Sequence, residues 1–228
     1  MFRSPDYTKN RDGARVPNSS EIVIIDFGSA TFEYDHHTAI VSTRHYRAPE
    51  VILGTGWNYE CDVWSLGCIV LELFAGDALF QTHENLEHLA LMEKILGPIP
   101  VELVRQANRG KKYFNDDKLL WPVNASSDES VDVVNDAVPL REQLADHSDL
   151  YDLICGCLNY SKADRLTASE CLQHRFFAPL HHNKKFERLI PPAMRSSLAR
   201  QRSGKVLLEA SSMGDSASER GGGGSPML

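Results

Sequence analysis

Asp26-Phe27-Gly28, then Val41-Ser42-Thr43-Arg44-His45-Tyr46-Arg47-Ala48-Pro49-Glu50-Val51-Ile52-Leu53, then Asp62-Val63-Trp64-Ser65-Leu66-Gly67 follow one another in this chain of 228 residues. Asp26 closes the β-branched run Ile22-Val23-Ile24-Ile25, which predicts a short buried strand. Gly28 predicts a turn, and a polar segment runs from there to Glu50. The stretch from Asp62 to Phe74 is long enough for a helix and apolar almost all round, through Val63, Trp64, Leu66, Ile69, Val70, Leu73 and Phe74. A helix without a polar face belongs in the middle of a core. Asp-Phe-Gly alone is a weak signal, since a chain of this length holds that tripeptide by chance roughly a few per cent of the time. The order and the element types of all three stretches carry the inference.

Outward from this block the pattern is mostly helical. Leu86, Leu89, Ala90, Glu93 and Leu96 fit a helix from about Asn85 to Leu96, stopped by Gly97-Pro98. Residues 105 to 140 read as irregular and polar, with Ser126 to Ser130 the most exposed part. Ser148 is placed to cap a helix carrying Leu150, Leu153, Ile154, Cys157 and Leu158, and Thr167-Ala168-Ser169-Glu170 has capping-box spacing for a last short helix toward His174. Residues 1–20, punctuated by Pro5, Gly13 and Pro17, read as a polar loop or a marginal hairpin. Residues 21–180 form the folded part, and residues 181–228 an extension whose Ser, Gly, Arg and Ala content predicts disorder.

A formal charge of −7 argues against an electrostatically driven nucleic-acid binder and suits a basic protein partner. Five cysteines, an odd number set mostly in apolar segments without a repeated Cys-x-x-Cys, read as reduced core thiols of an intracellular protein. The start of the chain lacks the apolar stretch of a signal peptide, and no run approaches a membrane span. The neighbouring His36 and His37 lack ligand spacing and predict no metal site. A monomer is expected.

Asp26-Phe27-Gly28, Ala48-Pro49-Glu50, Asp62 to Gly67 and the later Arg165 together resemble the protein kinase signature set. Val41 to Leu53 and Glu87-His88-Leu89-Ala90-Leu91-Met92-Glu93-Lys94-Ile95-Leu96-Gly97-Pro98 resemble the LAMMER, or Cdc2-like, dual-specificity kinases, which take their name from the second segment. Leu91 stands where the name has a methionine and Lys94 where it has an arginine, both swaps within a side-chain class. The resemblance covers about residues 7 to 180 and implies a mainly α fold, the C-terminal lobe of the kinase domain, with a short strand pair beside the Asp-Phe-Gly turn.

Carried over by position, Asp26 resembles the carboxylate that holds Mg²⁺ against the phosphates of ATP. Phe27 would pack under a helix of the N-terminal lobe and Gly28 would let the backbone turn. Residues 26 to 50 resemble the activation segment, with Thr43 beside the catalytic base and Arg44 to Arg47 as the wall receiving substrate. Ser42, Thr43 and Tyr46 read equally as phosphoacceptors or as plain surface hydroxyls. Glu50 and Arg165 resemble the buried ion pair anchoring the segment's end. Asp62 resembles the aspartate that accepts hydrogen bonds from the catalytic loop, and is expected near the core with those partners gone. The resemblance implies transfer of the ATP γ-phosphoryl to Ser, Thr and Tyr of basic Ser/Arg-rich splicing factors, in the nucleus and secondarily the cytoplasm.

A Gly-rich loop, a phosphate-binding strand lysine, a helix glutamate and a His-Arg-Asp loop are not found in the sequence, and 25 residues ahead of Asp26 are too few for an N-terminal lobe. Asn10-Arg11-Asp12 does not substitute: Pro17 stands where the loop asparagine belongs, and Asp6 to Ser20 better resemble a polar insertion that this family carries ahead of the Asp-Phe-Gly strand. The expectation is a chain without N-terminal lobe or catalytic loop, inactive by itself, with apolar surface exposed where those parts would lie. A non-catalytic module binding substrate or kinase, and one half of a split kinase, are the alternatives.

Overall fold

A computed structural model describes residues 1–180 apart from Asp12 and Ala14, so the expectations for Asp12 and for the 181–228 extension lie outside the described residues. The chain divides into two compact units, Met1–Val41 and Ser42 onward. The break falls inside the predicted activation segment.

The first unit is thin. Strand β1 (Tyr7–Lys9) pairs antiparallel with β2 (Arg15–Pro17) in the register Thr8↔Val16, and every residue of both is exposed. The Arg15 guanidinium lies 4.9 Å above the Tyr7 ring. Of the two readings of residues 1–20, the hairpin is the one that forms.

Ile22 to Ile25 do not form the predicted buried strand. Ile22 makes a single antiparallel bridge to Phe2, supported by the Val23 amide donating to the Met1 carbonyl at 2.9 Å. Ile24 is 81% and Ile25 52% exposed. A β-branched run is buried only when other layers cover both its faces, and a unit this small has too little apolar surface to do so.

The second unit is a helical core built on α2 (Glu60–Ala75), with α1 (Pro49–Leu53) ahead of it. Helix α2 is longer than the sequence suggested and is not buried all round. Cys61, Val63, Trp64, Gly67, Cys68 and Leu71 form its buried face, while Leu66, Ile69, Leu73 and Phe74 are 39 to 62% exposed. Gly67 is required by close packing, since a Cβ there would sit 2.8 Å from the Cys157 Cβ. That contact belongs to α8 (Ser148–Cys157), the helix packed most closely on α2.

Helix α3 spans Asn85–Leu96, as its apolar spacing predicts, and Gly97 ends it at φ 100. After α4 (Val101–Gln106) and α5 (Gly110–Tyr113), a two-residue pair, β3 (Phe114–Asn115) and β4 (Lys118–Leu119), precedes α6 (Asp128–Asp136). The 105–140 region is therefore more regular than expected. Ser127 caps α6, accepting from the Ser130 amide, and the buried Ser130 hydroxyl donates to Glu87 Oε2 at 2.8 Å. This bond pins α6 to α3.

Helix α7 (Leu140–Gln143) leads to α8, where Ser148 is the first helical residue rather than the cap. Thr167 and Glu170 form the predicted capping box of α9 (Ala168–Gln173). All five cysteines are free thiols, four of them buried. Among the described residues no helix is long and apolar enough to cross a membrane.

Candidate functional site

The end of the predicted activation segment is held by an ion pair in the core. Pro49 at the start of α1 turns the chain inward and puts Glu50 in the helix's first turn, fully buried. Arg165, in the loop leading to α9, reaches it from the far end of the unit: Nη1 donates to Glu50 Oε1 at 2.6 Å and Nη2 to Oε2 at 2.9 Å, with both side chains at 0% exposure. The guanidinium also donates to the Asn159 carbonyl at 3.0 Å and the Glu60 carbonyl at 2.9 Å, and stacks 5.1 Å over Trp64. A bidentate fork with two further guanidinium N–H groups bonded to carbonyls is the geometry that lets a desolvated pair persist. Glu50 and Arg165 are thus brought together as the sequence reading had them.

Ahead of this anchor, each residue from Arg44 to Arg47 is tied to a different part of the unit. Thr43 is exposed and precedes a single 3-10 turn, Arg44–Tyr46. Arg44 donates to Asn85 Oδ1 at 3.0 Å, at the start of α3. The His45 ring bonds the Phe80 carbonyl at 2.8 Å. The Tyr46 hydroxyl donates to Glu72 Oε2 at 2.6 Å, and its own carbonyl accepts from Ser65. The bond to Glu72, followed by burial, pushes the Tyr46 phenol up to about 12. Arg47 donates to the carbonyl of Ser42, a residue held at φ 66. Of the three hydroxyls named as possible phosphoacceptors, Tyr46 is engaged as an anchor, while Thr43 faces solvent.

Sequence reasoning missed Glu72, Asn85 and Phe80 as the supports of this wall. A signal for Glu72 existed: it is the one carboxylate in the run from Ser65 to Ala75, where a charge needs a partner. Nothing local marks Phe80, because it acts through a backbone carbonyl.

His88, beneath the wall, is fully buried; it lies 5.1 Å from the Phe80 ring, and neither of its nitrogens has a partner among the described residues. Burial, reinforced by the charges of Arg47, His45 and Arg44, brings its pKa down to about 3. The imidazole is a neutral core filler that a sequence reading leaves unremarked.

The Asp-Phe-Gly segment differs from expectation. Asp26 is exposed and itself adopts the left-handed backbone, at φ 64, while Gly28 lies in the short 3-10 helix Phe27–Ser29 without a positive φ. The special conformation falls one residue short of Phe27 because a short polar side chain tolerates it. Phe27, which the resemblance sets under a helix of the N-terminal lobe, is 69% exposed.

Asp62 is also exposed rather than near the core. It lies in the first turn of α2, where Cys61 and Val63 take the buried face, and partial desolvation raises its carboxyl pKa. Among the described residues no group of three or more His, Cys, Asp or Glu could hold a metal ion. Magnesium is held by one or two carboxylates together with phosphates and waters, so Asp26 fits as one ligand of such an ion and does not make a site by itself.

The protein kinase domain family matches residues 15–177, beginning upstream of Asp26 and ending beyond Arg165. The chain is 51% identical over 205 residues to the serine/threonine-protein kinase AFC1 of Arabidopsis thaliana, covering 84% of this chain and 43% of that protein. It is 52% identical over 190 residues to the dual specificity protein kinase CLK2 of Homo sapiens, covering 79% of this chain and 37% of that one. It therefore spans less than half the length of these relatives. A crystal structure of a kinase domain superposes with a TM-score of 0.68 at 43% identity, covering 72% of this chain and 50% of that one.

Proposed function

This chain belongs to the protein kinase family, in its LAMMER or Cdc2-like branch, and on that premise we propose that it supplies the substrate-facing part of an enzyme moving the γ-phosphoryl of ATP to Ser, Thr and Tyr hydroxyls of Ser/Arg-rich splicing factors in the nucleus. The observation that carries this reading is the Glu50–Arg165 fork, which fixes the end of a segment whose Arg44 to Arg47 are each held by a bond within the second unit, with Thr43 left exposed beside them. In the assembled enzyme ATP would supply the transferable phosphoryl group, magnesium would neutralise its phosphate oxygens, and Asp26 would offer the metal one carboxylate. Thr43 presents a hydroxyl to solvent, and the wall from Arg44 to Arg47 orients the acceptor peptide. The acidic charge of the chain favours arginine-rich substrates.

In this reading the lysine, the catalytic base and the second metal ligand come from polypeptide beyond this sequence, and the chain alone transfers no phosphate. The exposed stripe Leu66, Ile69 and Leu73 on α2, at helical spacing, supports that second part of the proposal and also the split-enzyme version of it. A labelled-ATP assay on an arginine/serine-repeat peptide tests both. The expected result is no transfer by the 228-residue chain and transfer when a polypeptide carrying the missing motifs is added. Transfer by the chain alone would contradict the incompleteness. Peptide binding without transfer in either mixture would favour the non-catalytic module.

A further inference from the structure

Two helices of the second unit end at one groove, each with a carboxylate at or within two residues of its end. Helix α2 stops at Ala75, Gly76 turns the chain at φ 92, and Asp77 follows. Helix α6 stops at Asp136 itself. The cavity between these ends has a volume of about 700 Å³ and is lined by both aspartates. Its floor is apolar and buried, formed by Leu71, Ile95 and Leu144, while Phe74 and Val138 at its rim are 46% and 45% exposed. No residue of the groove belongs to the 26–50 segment.

The charge arrangement is the reverse of what helix stability favours. The C-terminal end of a helix carries about half a negative charge, so cations stabilise it and carboxylates do not. Neither α2 nor α6 has a basic residue in its last turn, and each adds an aspartate to its negative pole. Among the described residues no lysine or arginine lines the groove, and none occurs in the sequence between Lys118 and Arg141. Two helix poles and two carboxylates above an apolar floor form a site that asks for cationic charge and for a greasy side chain together.

We propose that this groove docks a basic peptide segment of a partner protein, one bulky apolar side chain filling the floor and flanking Arg or Lys heads meeting Asp77 and Asp136. The aliphatic stems of such cations lie well along Phe74 and Val138. Apolar fit supplies specificity, and the double negative pole supplies attraction and orientation. The inference goes beyond the kinase reading and does not need it, since the groove lies apart from the phosphate-transfer motifs.

The test is fluorescence anisotropy of the full chain with a labelled peptide of about a dozen residues, a single leucine flanked by arginines on both sides. The expected result is saturable binding that weakens about five- to tenfold in the double variant Asp77→Asn, Asp136→Asn. Loss of affinity as salt rises from about 50 mM to about 300 mM, and loss with alanine in place of the peptide's leucine, are also expected. Both aspartates are exposed and sit at helix C-termini, so asparagine leaves the fold intact. No binding by the unaltered chain, equal binding by the double variant, or indifference to the leucine would each overturn the proposal.

Discussion

The two ends of one predicted segment behave as opposites. From Asp26 to Val41 the chain is almost wholly exposed, and its described backbone hydrogen bonds are local ones such as Ala30 to Phe27 and Asp35 to Phe32. From Arg44 to Leu53 it is bonded to Asn85, Phe80, Glu72 and Ser65 and then pinned through Glu50 to Arg165, more than a hundred residues away. Both stretches carry residues of the family motifs. A motif therefore records the chemistry a residue is suited to, whereas its order in the folded chain depends on which partners are there to hold it.

The largest expected effect lies at the anchor. Arg165→Ala or Glu50→Ala should cost ~3–5 kcal/mol in urea unfolding, because the remaining charge stays buried without its partner. A loss under about 1 kcal/mol would erase the contrast between the two stretches.

His88 gives the next effect, through pH. Its folded pKa, lowered to about 3, lies below the unfolded value near 6.5, so the unfolded state binds the extra proton in acid. The stability that neutral His88 contributes is complete above pH ~6.5 and falls by about 1.4 kcal/mol per pH unit toward pH ~3. His88→Leu should flatten this slope relative to the parent chain. An unchanged slope in acid unfolding would show that the imidazole is not held neutral.

A smaller effect is expected at Tyr46. Tyr46→Phe leaves Glu72 without its donor and should cost about 1.5 kcal/mol, reduced from the usual range for charged acceptors because the site is only partly buried. The smallest effect sharpens the comparison from the other side. Asp26→Ala and Phe27→Ala, at exposed positions, should each change stability by less than about 0.5 kcal/mol.

Legibility followed the range of the interactions involved. Helix α3, its Gly97 stop and the Thr167–Glu170 box are decided within a few residues, and spacing was enough to find them. Ser127 and Ser130 were read as an exposed polar stretch because the bond to Glu87 crosses 43 positions of chain. The Ile22–Ile25 run has every strand propensity but not the second layer that would bury it. In α2 the composition correctly gave a helix, while the exposed Leu66, Ile69 and Leu73 depend on what packs beside it. At the site, Glu50 and Arg165 were found by resemblance alone; the lone carboxylate Glu72 signals that it needs a partner without naming Tyr46, and His88 could be recognised only once the neighbouring elements were in place.

The most direct test of the account is amide hydrogen exchange across residues 22–53. Strong protection from Val51 to Gly54, whose amides bond within and at the end of α1, with rapid exchange from Ile24 to Ile40, is the predicted pattern. Equal protection of both stretches would contradict the claim that only the Glu50 end of the segment is anchored.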